Sequence, residues 1–93
     1  MVPKFALSVM NRGLFAKFSQ NNDMREKLLN TGNCILLEAS PHDHFWGIGL
    51  SMNDPDIYFF KFLGQNYLGK LLMSIRAQLI LEKMHQNNIY FFR

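Results

Sequence analysis

The 93-residue chain contains a single cysteine, three prolines and one tryptophan. The lone thiol, Cys34, has no partner for an internal disulfide, and it suits a reducing, intracellular and cytoplasmic setting. It opens an apolar run, so it is expected as a small core residue. No apolar stretch approaches the roughly 20 residues that a membrane helix needs, so no membrane contact is expected. Near the N-terminus stands Lys4, but neither a long apolar core nor a small-residue cleavage site, which argues against a signal peptide. Charged residues make up only 18% and are scattered. The net charge of +3 and pI of about 9.3 lean mildly towards an anionic ligand and give poor support for a nucleic-acid-binding domain. Internal repeats and linker-like stretches are absent.

Hydrophobic residues amount to 48%, which is the composition of a globular chain. A chain of this length is one small domain, residues 1–93, or part of one, with a core but little surplus stability. The pattern predicts a mainly α fold, α+β in that it carries one or two short strands. Pro3 to about Ser19 reads as a helix, with Leu7, Met10, Leu14 and Phe18 at helical spacing, Phe15 widening the stripe and Pro3 in the first turn. After the polar break Gln20-Asn21-Asn22, Asp23 opens a shorter helix in which Asp23 and Glu26 have capping-box spacing, and Gly32 fits its stop. Cys34 to Glu38 reads as a short buried strand ended by Pro41. Ala39 to about Gly64 is mostly irregular, with a turn at Asn53-Asp54-Pro55-Asp56. Within it, Ile57-Tyr58-Phe59-Phe60 is either a second strand or a loop that packs aromatics. Asn66 looks like the N-cap of the longest helix, which runs to about Gln86 with Leu68, Leu71, Leu72, Ile75 and Leu79 as its stripe. The aromatic tail Ile89 to Arg93 either pairs as a strand or packs on the core. The six methionines and nine phenylalanines are best read as core.

Chemistry-bearing residues gather after the apolar run. Asp43 and Trp46 stand three apart, and Gly47-Ile48-Gly49 lets the backbone bend or approach a ligand closely. An acid beside an indole on a permissive backbone suits a flat, polar ligand. The plainer alternative is that Asp43 caps a turn and Trp46 is core. Glu38 is a second candidate acid, and the alternative for it is a salt bridge to Arg76. His42 and His44 flank Asp43; the spacing suits a metal, but no third ligand is evident, so none is expected. A surface loop, or contact with a phosphate, is the expectation for this pair. Gly64-Gln65-Asn66-Tyr67-Leu68-Gly69-Lys70 leads into the long helix, whose free N–H groups would favour a phosphate. Ordinary capping by Asn66 and tight packing at Gly69 is the competing reading. The spacing is not that of a P-loop.

The run Leu37-Glu38-Ala39-Ser40-Pro41-His42-Asp43-His44-Phe45-Trp46-Gly47-Ile48-Gly49-Leu50 resembles the signature of the YbiA-like proteins, the NADAR domain. Val9-Met10, Ala16 to Asn21 and Leu28 to Gly32 follow the family's pattern upstream. Gly64 to Lys70 and Leu72 to Arg76 follow it downstream. The resemblance covers about Val9 to Leu79 and corresponds to the C-terminal part of a multihelical domain. It implies cleavage of an N-glycosidic bond in a nucleotide-like or ADP-ribose-like small molecule, including riboflavin intermediates, without a cofactor. Nucleic acid would enter only as an ADP-ribosylated substrate. It also implies roles for particular residues: Asp43 to assist the sugar cation or the water, with Glu38 as supporting acid. Trp46 would stack on the base, and Gly47, Gly49, Asn66 and Gly69 would complete the binding site.

The chain departs from the family in two places. The family's upstream half supplies a catalytic glutamate and lysine, for which neither Lys4 nor Lys17 is at a matching position. Members also often have a shorter segment at Tyr58 to Leu63, with a tryptophan near Phe62. These departures carry a second expectation, that of a non-catalytic module binding ADP-ribose or a related nucleotide, or an inactive fragment. An apolar face left without its other half would then be prone to association. A basic RNA-binding domain is a third reading.

Overall fold

The computed structural model describes residues 4–88 and Phe92. Among the described residues three α-helices form in chain order: α1 (Lys4–Gln20), α2 (Asn22–Leu29) and α3 (Tyr67–Gln86). Each packs against the other two. A single 3-10 turn, Pro55–Phe59, interrupts the long irregular stretch between α2 and α3. The periodic segments thus become helices close to where their patterns place them. The expectations for Pro3 and, Phe92 apart, for the aromatic tail lie outside the described residues.

The core lies where the three helices meet. Leu28, Ile75 and Leu79 are buried there, ringed by half-buried Leu14, Phe15, Phe18, Leu29, Leu36 and Leu72. A second buried pair, Ile48 and Leu50, belongs to the irregular stretch. No helix among the described residues is long and apolar enough to cross a membrane.

Neither expected strand forms; no β-strand occurs among the described residues. Cys34 is exposed and Ile35 is 62% exposed, so the thiol is not a core residue. A short apolar run becomes a strand only if a second backbone edge lies beside it. Here the neighbour is α3, which has no such edge to offer. Residues 31–38 run antiparallel along that helix and are tied to it by side chains instead. Arg76 Nη1 donates to Thr31 Oγ1 at 2.8 Å at one end, and Asn66 holds Leu36 and Glu38 at the other. Ile57 to Phe60 coils into the 3-10 turn, with Asp54 Oδ1 accepting from the Asp56 amide at 2.9 Å. Its aromatics face outward, Tyr58 at 82%, Phe59 at 69% and Phe60 at 63% exposure.

The start of α2 also differs from the pattern. Asn21, not Asp23, is the N-cap: its Oδ1 accepts from the Met24 amide at 3.1 Å, and Asp23 sits inside the first turn. The asparagine begins the helix two residues early because its side chain accepts the Met24 amide, whereas a capping box opened by Asp23 would have taken that of Glu26. Asn21→Ala is therefore expected to cost about 1 kcal/mol in a urea melt. Asp23→Ala, which removes only a favourable charge near the helix start, should cost at most about 0.5 kcal/mol.

Candidate functional site

The loop that holds the acid and the indole is seated on the start of α3. The amides of Leu63 and Gly64 both donate to Ile48 O, at 2.9 and 2.8 Å. Those of Gln65, Asn66, Tyr67 and Leu68 donate to the carbonyls of His44, Gly47, Phe45 and Trp46, at 2.9, 2.9, 3.1 and 3.0 Å. Six successive amides are thus satisfied by the backbone of residues 44–48. This corrects the expectation of a phosphate at the helix start, because the Tyr67 and Leu68 amides that would meet the anion already have carbonyl partners.

Asn66 occupies the N-cap position in a left-handed conformation, φ 54°, but its side chain does not cap. Its Oδ1 accepts from Glu38 N at 2.9 Å and its Nδ2 donates to Leu36 O at 3.0 Å. The amide group supplies the donor and acceptor that a neighbouring strand would have supplied. Gly69 lets this happen, since a Cβ there would collide with Leu36 O and the Asn66 amide. Gly47 is similarly enclosed: a Cβ would lie 2.8 Å from Glu38 O and 3.0 Å from Asp43 O. Gly49, at φ +75°, backs onto the His44 ring. The space these three glycines leave is filled by the chain itself.

Asp43 is half-buried, and its Oδ1 accepts from the amides of Phe45 at 3.0 Å and Trp46 at 2.8 Å. The carboxylate thereby folds its own loop. Its Oδ2 has no hydrogen-bond partner among the described residues and is the oxygen left for a ligand. Asp43 lines an open cleft of about 810 Å³, together with His42, His44, Phe45, Gln65, Tyr67 and Leu7 of α1. That volume is within the range of small-molecule sites.

The acid and the indole are not brought to the same wall. Trp46 lies outside the lining of the cleft, its ring edge-on to Phe45 with centroids 4.4 Å apart. The aromatic faces on the cleft are Phe45 and Tyr67, 5.2 Å apart, with Lys70 Nζ 5.0 Å from the Tyr67 ring centroid. Glu38 also lies outside the lining; its Oε1 accepts from Ser40 Oγ at 2.8 Å. The salt bridge to Arg76 does not form, because Arg76, 7% exposed, reaches Thr31 instead.

Phe45, Gln65 and Tyr67 lie within the motifs, but the sequence pattern does not mark them as site residues, since it does not say which side chains turn towards the cleft. Leu7 carried no signal beyond its place on a helical stripe. Among the described residues no group of three His, Cys, Asp or Glu side chains is placed to hold a metal ion.

Comparison with known proteins agrees with the motifs. The family model described as the NADAR domain matches residues 4–80. An N-glycosidase of Acanthamoeba polyphaga mimivirus is 45% identical over 79 residues, covering 81% of this chain and 45% of that protein. An N-glycosidase of Nostoc punctiforme is 39% identical over 71 residues, 76% of this chain and 39% of the relative. A chloroplastic riboflavin biosynthesis protein of Zea mays is 39% identical over 74 residues, 80% of this chain but 10% of the relative. The chain thus spans less than half the length of each of these relatives. No solved structure matches at a significant level.

Proposed function

The chain belongs to the NADAR domain family, and from that premise we propose that it hydrolyses an N-glycosidic bond in a nucleotide-like or ADP-ribose-like substrate. The observation that carries the reading is Asp43, pinned by Oδ1 on the wall of the cleft with Oδ2 left unpaired. Breaking a carbon–nitrogen bond at ribose builds positive charge on the sugar ring. A carboxylate held beside the ring stabilises that charge without having to reorganise. The bonding pair leaves with the base nitrogen, which takes up a proton. Water oxygen bonds to the anomeric carbon, and its proton passes to Asp43 or to solvent. Phe45 and Tyr67 offer the faces on which a base stacks. Glu38, Trp46, Gly47, Gly49, Asn66 and Gly69 serve the site from behind, by holding the loop that bears Asp43. The relative named for riboflavin biosynthesis puts ribosylated pyrimidine intermediates first among candidate substrates; ADP-ribosylated guanosine, which only the motif resemblance suggests, comes second.

The test is release of free base from either compound, followed by chromatography. Asp43→Asn keeps an oxygen to accept the Phe45 and Trp46 amides, so it should fold normally while losing turnover about 100-fold. Asp43→Ala removes the acceptor as well and should also lower the melting temperature. An unaltered rate in the asparagine variant, or no free base from the parent chain, removes the hydrolytic assignment.

A second reading is favoured by one feature: among the described residues the cleft presents a single carboxylate, with Glu38 outside it. A non-catalytic module would bind ADP-ribose on the Phe45–Tyr67 wall and release nothing. Titration calorimetry with ADP-ribose distinguishes the two, because heat of binding without product supports the module.

A further inference from the structure

We infer that His44 is the acid that protonates the leaving base. This rests on the hydrolytic reading above and fills a role which that reading leaves open. A glycosidic nitrogen that departs with the bonding pair needs a proton, and a donor held beside it raises the rate by about 10²–10⁴-fold. Asp43 does not suit the task, because it must stay ionised to face the sugar cation. Among the other described residues on the cleft wall, only His42, His44 and Tyr67 carry a side-chain proton that can dissociate. An imidazole exchanges its proton near neutral pH, whereas a phenol holds its own far more tightly.

Position separates the two histidines. His42 is exposed on the turn at Pro41. His44 lies in the seam between the loop and the start of α3. Its carbonyl accepts from Gln65 N at 2.9 Å, and a Cβ on Gly64 would lie 2.9 Å from its Cα, so its backbone has no room to shift. Its ring is seated as well: a Cβ on Gly49 would lie 2.8 Å from His44 Cδ2 and 3.1 Å from Nε2. That edge of the imidazole rests on the glycine, and Nδ1 is across the ring from it. The ring has no hydrogen-bond partner among the described residues, and a donor already in place needs no reorganisation when the bond breaks. One short loop thus presents a carboxylate for the sugar and, next to it in the chain, an acid for the base. As the carbon–nitrogen bond breaks, its electron pair stays on the base nitrogen, which takes the Nδ1 proton of the imidazolium. Water oxygen closes on the anomeric carbon and its proton passes to Asp43 or to solvent. His44 is exposed, so the neutral imidazole regains a proton from solvent.

The experiment follows release of free base by the full chain from whichever of the two candidate compounds it turns over. His44→Gln is expected to lower kcat about 100-fold, with KM and the melting temperature nearly unchanged. His44→Gly should be as slow, and imidazole added to the solution should raise its rate about tenfold. A histidine that only supported the loop would give no such rescue. An undiminished kcat in His44→Gln, a loss that sits in KM, or a glycine variant that does not respond to imidazole overturns the assignment and leaves the hydrolytic reading standing. A parent chain that releases no base from either compound removes both.

Discussion

Asn66→Ala is expected to lower the stability of the chain by about 4 kcal/mol in urea unfolding, from two losses of known size. Asn66 is 7% exposed, and its amide satisfies both Glu38 N and Leu36 O. Each half-buried backbone group left without a partner costs about 1–3 kcal/mol. Alanine must also adopt the left-handed conformation, for about 1 kcal/mol more than asparagine. Two further variants divide the total. Asn66→Asp keeps the acceptor for Glu38 N and loses the donor to Leu36 O, so about half the cost should remain. Asn66→Gly relieves the backbone term alone and should recover only about 1 kcal/mol. If glycine restores full stability, the side-chain clamp contributes nothing and the account given for residues 31–38 is wrong.

Gly64→Ala is the second large effect, about 3 kcal/mol, and it comes from space rather than hydrogen bonding. A Cβ there would press on Gly47 O, and would lie 2.9 Å from His44 Cα and from Ile48 C. All three are backbone atoms, which cannot swing aside as a side chain can. The two segments also cannot part without loss, because the Leu63 and Gly64 amides are both bonded to Ile48 O. Gly69→Ala provides the comparison. In a helix, alanine gains about 1 kcal/mol over glycine, while the collision with Leu36 O costs more, so a net loss of about 2 kcal/mol is expected. Circular dichroism melts of both variants check the order, Gly64 above Gly69. Because Gln65 lines the cleft, Gly64→Ala should also weaken ligand binding more than its stability loss alone explains.

The helices were legible because periodicity is local: Leu14 and Phe18, or Leu72, Ile75 and Leu79, fall on one side whatever else the chain does. The long irregular stretch was legible for the same reason, from its prolines and glycines. What was hidden depends on partners far along the chain. Ile35 to Leu37 reads as a strand unless it is known that the neighbour is a helix. Asn66 reads as a cap unless Leu36, thirty positions away, is known to be within reach. The helix start reads as a phosphate site unless the carbonyls of residues 44–48 are known to be there first. Asp43 was found on the cleft, while Phe45 and Tyr67 stand there in place of Trp46, since neighbours in sequence point different ways on a tight loop.

Residues 44–48 and 63–68 are sewn together, so everything from Ser51 to Phe62 leaves and re-enters at one pinch point. Lengthening such an excursion costs only a logarithmic entropy term, about 0.6 kcal/mol per doubling. Lineages can therefore insert or delete residues beyond the pinch without moving the cleft. Tyr58 to Phe62, with their exposed aromatics, lie in the stretch that the architecture leaves free to drift.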